Sequence, residues 1–178
     1  MLKISVSTVV IIIALAAISS AQQKKAPRPS PPAQAKCQFA DGKTIAVDYS
    51  SPRMRGRKIM GDLVPYGQVW RTGANEATTF VTSTALTADG RDIPAGNYTI
   101  FTVPEESKWT LIVNKKTGEW GIPYKYESDE LARIPMSVSS TSGPVEDFTI
   151  SFDEGGSTCT MKLSWEQTEA SVQFTEKK

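Results

Sequence analysis

The chain has 178 residues with 20 basic and 19 acidic side chains and no histidine. The missing imidazole excludes a serine–histidine–aspartate triad and a histidine-based zinc site. From Cys37 onward 15 basic residues face 19 acidic ones, a net charge of −4. That is the opposite of the basic surplus of a nucleic-acid-binding domain, so no nucleic acid partner is expected.

Residues 1–21, MLKISVSTVVIIIALAAISSA, place Lys3 ahead of an apolar stretch from Ile4 to Ile18 and end on Ser19-x-Ala21, the layout of a signal peptide. The apolar stretch falls short of the roughly 20 residues a membrane span needs. Cleavage after Ala21, export to the periplasm or medium, and no stable membrane insertion afterwards are expected. Residues 22–36, QQKKAPRPSPPAQAK, carry Pro27, Pro29, Pro31 and Pro32 and almost no apolar side chain. Such a segment buries too little surface to offset the entropy of ordering it, and a disordered linker is expected. A single folded domain then spans 37–178. In an exported chain its two cysteines, Cys37 and Cys159, read as one disulfide, with two buried thiols as the alternative.

Period-2 alternation dominates from there. Ile45, Val47 and Tyr49 share one face of TIAVDYS, and Trp109, Leu111 and Val113 one face of WTLIVN. Phe148, Ile150 and Phe152 alternate with polar residues, as do Cys159, Met161, Leu163 and Trp165. These are half-buried antiparallel strands, separated by turn signals at Asp41-Gly42, Asp89-Gly90 and Gly155-Gly156. Tyr98 to Val103 loads both faces, as a central strand or one covered by a loop does. Only Ser128 to Arg133 offers a helical turn or two before Pro135. The expected fold is all-β, an antiparallel sandwich of about eight strands with jelly-roll or Greek-key connections.

Residues 50–66, SSPRMRGRKIMGDLVPY, break that pattern and gather Arg53, Arg55, Arg57 and Lys58. A long irregular excursion of this kind is functional or mobile. It leads into GQVWRTGANEATTF, where Arg71, Asn75 and Glu76 surround Gly73. The run SPRMRGRKIMGDLVPYGQVWRTGANEAT, followed by IPAGNYTIFTVP, WTLIVNK and Trp120-Gly121, resembles the secreted bacterial family catalogued as domain of unknown function 2911, over about Tyr49 to Trp165. The resemblance implies a β-rich envelope domain and brings no established activity. The cysteine pair is no part of it and rests on the compartment.

Arg71 offers a planar fork for carboxylates or phosphates, Asn75 both donates and accepts, and Glu76 accepts or acts as a base. With Arg57 and Lys58 at a rim, and Trp120 as an exposed platform near Tyr124 and Tyr126, these are the candidate ligand-binding residues. The expected partner is a small anionic molecule, a glycan or an envelope component. The alternative is structural: Arg71 pairs with Glu76, Asp48 or Asp62, and Asn75 caps the turn at Gly73. No catalytic residue is identified, and no motif asks for a metal or cofactor. A hydrolase would have to draw paired carboxylates from Asp48, Asp62 and Glu76. A purely structural envelope protein would keep the fold without a pocket.

Overall fold

The alternating segments form strands whose apolar faces converge on one core. The computed structural model describes residues 28–178. The expected leader, and residues 22–27 of the expected linker, lie outside the described residues. Nine strands follow in order: β1 Pro32–Gln38, β2 Thr44–Ser50, β3 Thr78–Thr82, β4 Leu86–Ala88, β5 Arg91–Ile93, β6 Gly96–Pro104, β7 Lys108–Asn114, β8 Glu130–Glu154 and β9 Thr158–Glu176. They make one antiparallel sheet in the order β1-β2-β3-β6-β7-β8-β9-β4-β5. After β3 the chain leaves for the far edge, makes the β4–β5 hairpin, and returns to β6 beside β3.

The sheet folds over, so that β1 to β3 face β8 and β9. Phe80 of β3 meets Phe174 of β9 with ring centroids 5.2 Å apart, and Tyr49 of β2 meets Phe148 of β8 edge-on at 5.7 Å. The bend falls in the long β8–β9 hairpin, whose register shifts between Ser140 and Val145 and again before Thr149. Bulges of this kind bend and twist a strand, and the Ser- and Gly-rich run at 139–143 supplies the local freedom. Trp109, Trp165, Phe39, Phe80, Phe148 and Phe174 are fully buried between the halves. Central β6 uses both faces as expected. Tyr98 and Ile100 enter the main core, while Phe101 packs with Ala77 and Ile112 in a second cluster flanked by Tyr124 and Tyr126.

Two expectations are corrected. Among the described residues helix is confined to a 3-10 turn at Glu127–Asp129, and Leu131 to Arg133 already belong to β8. Ala132, Ile134 and Met136 are buried on alternate positions against β7, and Pro135 sits at an exposed position opposite Thr110. The boundary drawn at Cys37 falls inside a strand, because β1 begins at Pro32 and pairs with β2 from Pro32–Ser50 to Gln38–Thr44. Ala33, Ala35 and Cys37 carry a period-2 signal that the preceding prolines mask, and the open edge of β2 supplies the ladder partners.

Candidate functional site

Residues 51–77 run without a regular strand from β2 to β3. Ile59, Met60 and Val64 plug this excursion into the core, and Met60 N donates to Glu166 Oε2 at 3.1 Å. Farther on, the pairing of β3 with β6 ends at Ile100, which leaves the rest of that β6 edge open. Residues 67–70 occupy it: Gly67 N donates to Pro104 O at 2.8 Å, while Trp70 and Thr102 exchange backbone bonds of 2.7 and 2.9 Å. Trp70 is thereby set over the core, stacked on Trp165 at 5.8 Å and edge-on to Phe148 at 4.9 Å.

Residues 71–76 turn immediately afterwards. Thr72 and Asn75 have φ of 54° and 59°, and between them a Cβ on Gly73 would stand 3.0 Å from Ser50 O. Only glycine fits that close approach. Thr72 is buried, donates to Thr102 Oγ1 at 3.1 Å, and accepts at its carbonyl from Thr78 Oγ1 at 2.7 Å. Asn75 does not cap the turn; its Nδ2 donates to Ser30 O at 3.1 Å. Glu76 accepts from Arg28 Nη1 at 2.6 Å. Both residues therefore hold the segment ahead of β1. Asp48, named as another partner for Arg71, accepts instead from Gln34 at 2.7 Å.

Arg71 lies against Trp120, with its guanidinium carbon 5.2 Å from the ring centroid and Nη1 donating to Trp120 O at 3.4 Å. Burial pulls its pKa below the ordinary value, and the charge of Glu76 opposes the shift. A guanidinium keeps its charge through such changes.

These elements enclose a cleft of about 470 Å³. Trp70, Val69, Val64 and Trp165 give it an apolar lining, and Gly73, Ala74, Pro29 and Ser30 also border it. Arg53, Arg55, Arg57, Arg71 and Gln68 supply the polar side. No aspartate or glutamate is among the lining residues, so Asp48, Asp62 and Glu76 form no carboxylate pair there. Among the described residues no cluster of acids and cysteines is fit to hold a metal ion.

Of the sequence-predicted residues, Arg57 and Arg71 line the cleft. Exposed Lys58 stands next to a lining residue, Trp120 joins the rim through Arg71, and Asn75 and Glu76 act from outside the lining. Trp70, Gln68, Leu63 and Ile122 were not legible as site residues. Trp70 had a signal in its position directly before Arg71, whereas Ile122 had none. Tyr124 and Tyr126 pack on Phe101 rather than forming a platform. The Tyr124 hydroxyl donates to Glu130 at 2.7 Å, and burial raises its pKa. Arg133 grips the same carboxylate through two 2.7 Å bonds and holds its pKa low.

The family described as "Protein of unknown function (DUF2911)" matches residues 30–174. The chain belongs to this family. The DUF2911 domain thus takes in β1 and every lining residue of the cleft except Pro29. Neither a curated protein nor a solved structure matches the chain. Within the DUF2911 domain Cys37 and Cys159 are disulfide-bonded, with Cα atoms 6.2 Å apart and both residues fully buried. Among the described residues no helix is long and apolar enough to cross a membrane.

Gly121 packs closely against Ala77, Phe101 and Arg71. Its φ is +92°, and an added Cβ would stand 2.9 Å from Ala77 Cβ and 3.3 Å from Arg71 Cβ. Gly121→Ala is therefore expected to cost about 1–3 kcal/mol in urea unfolding, from backbone strain plus overpacking. Gly118→Ala, where an added Cβ meets nothing within 4 Å at φ +77°, isolates the backbone share and should cost less.

Proposed function

We propose that this exported domain binds a small anionic molecule in the cleft. The observation that carries this reading is the state of its guanidiniums. Arg55, Arg57 and Arg71 donate to backbone carbonyls, of Pro29, of Met54 and Arg53, and of Trp120 respectively. Arg53, in contrast, is paired with Asp147 at 2.9 Å. Three forks held by neutral acceptors beside an apolar wall focus positive potential on a domain whose net charge is negative. A guanidinium with no carboxylate in hydrogen-bond contact keeps donors for a planar oxyanion, two bonds at a time, although at Arg71 the charge of Glu76 opposes a bound anion. The cleft volume lies within the roughly 300–1,000 Å³ of small-molecule sites. The disulfide supports export, since such bonds persist in oxidising compartments. A glycan is less favoured, because Arg71 already lies over the ring of Trp120.

The test is thermal unfolding of the mature protein with phosphate, sulfate, citrate and organic sulfonates at constant ionic strength. A ligand at 100 times its Kd stabilises by about 2.7 kcal/mol, which raises the Tm of a domain of this size by about 5–10 °C. Arg71→Gln is expected to abolish the rise while costing only about 1 kcal/mol itself, the worth of a cation–π contact and one long hydrogen bond. The rise should also shrink as salt increases. If no anion shifts the Tm, or if Arg71→Gln responds like the parent, the reading is wrong.

A further inference from the structure

Resting on that reading, we infer that the ligand is an amphipathic anion, its acid group held by Arg57 and Arg71 and its apolar body lying on Trp70 between Leu63 and Ile122. The inference comes from where exposed apolar surface is found. Among the described residues four large hydrophobic side chains are exposed: Leu63 at 45%, Tyr66 at 39%, Trp120 at 55% and Ile122 at 40%. Leu63 and Ile122 line the cleft, Trp120 carries Arg71, and Tyr66 lies on the same loop as Leu63, against Gly61. Single exposed hydrophobics are ordinary. Here two of the four, Leu63 and Ile122, line the same cleft, from loops nearly 60 residues apart in sequence.

The two kinds of lining residue make different demands. An inorganic anion would satisfy the guanidiniums and leave Trp70, Leu63 and Ile122 against water. A neutral apolar molecule would cover those three and strip water from the guanidiniums without replacing its hydrogen bonds. A molecule with an acid at one end and an apolar body at the other answers both. Each methylene it buries should tighten binding about fourfold.

The experiment compares sulfate, butane-, hexane- and octane-1-sulfonate, and the neutral 1-octanol, all as monomers, by titration calorimetry on the mature protein. Affinity is expected to rise roughly 15-fold for each added pair of methylenes, in line with their burial. Octanesulfonate should outbind both sulfate and octanol by at least tenfold. Leu63→Ser combined with Ile122→Ser should flatten the dependence on chain length, whereas Arg57→Gln combined with Arg71→Gln should weaken every sulfonate and leave octanol unchanged. Arg71→Lys, which keeps the charge, guards against mistaking a loosened loop for a lost contact, and each variant must melt cooperatively. If sulfate binds as tightly as octanesulfonate, the apolar body is immaterial; this inference falls and the anion site stands. If octanol matches octanesulfonate, or nothing binds, both fall. The same chemistry is found in a free organic acid and in an anionic lipid, and phosphatidylcholine vesicles with and without phosphatidylglycerol separate the two. Displacement of octanesulfonate by the anionic vesicles alone assigns the lipid, and displacement by neither assigns the free acid.

Discussion

Replacing Cys37 and Cys159 together by alanine is expected to lower the unfolding free energy by about 3–5 kcal/mol, read from urea midpoints at constant slope. The bridge joins β1 to β9 across 122 residues of sequence. It is the covalent link between the two halves of the folded-over sheet. Closing a loop of that length removes about 5 kcal/mol of chain entropy from the unfolded state in the simplest model. Both residues are fully buried, so their sulfur atoms also fill core volume that alanine leaves empty. In the oxidised native protein neither cysteine should react with an alkylating agent. Two reactive thiols, or a loss below about 1 kcal/mol, would mean that packing alone holds β1 on β9.

Starting the chain at residue 36 is expected to cost about 3 kcal/mol or more and to lower the Tm by about 6–12 °C. The deletion removes the Pro32–Ala35 half of the β1–β2 ladder, with its backbone hydrogen bonds worth about 1 kcal/mol each. It also removes buried Ala35 and leaves much of the β2 edge open to other chains. Arg28, Pro29 and Ser30 leave with it. Glu76 and Asn75 then lose the contacts they make to this segment, and the cleft loses one edge. A chain starting at residue 28 should melt like one starting at residue 22. Were the two truncations equally stable, the segment would be the dispensable tether that its prolines suggest.

Local signals in the chain were enough for β2, β6, β7, β9 and part of β8, and for most of their faces. Alternation at Ile45–Val47–Tyr49 and at Cys159–Met161–Leu163–Trp165 is a period-2 pattern, and it needs no distant partner to be read. The even cysteine count named the only available pair. Family membership was equally legible, because the motifs that carry it are continuous in sequence. The pairing of β1 was not, since an edge strand of Ala, Gln and Lys gains its stability from the neighbour that offers it hydrogen bonds rather than from its own side chains.

The site divided in the same way. Arg57 and Arg71 were recognisable by residue type, because cations in an irregular stretch stand out. Their partners were settled by the fold. Glu76, five residues from Arg71, accepts a hydrogen bond from Arg28 instead, and Trp120, 49 residues away, accepts the bond from Arg71. Trp70, Leu63 and Ile122 became one surface only when residues 67–70 took the open edge of β6 and two loops met above them. Alternation and composition report which side of its own strand a residue faces. Which loops meet at a cleft depends on how a nine-stranded sheet folds over and where its pairing stops, and those are long-range contacts that no window of sequence contains.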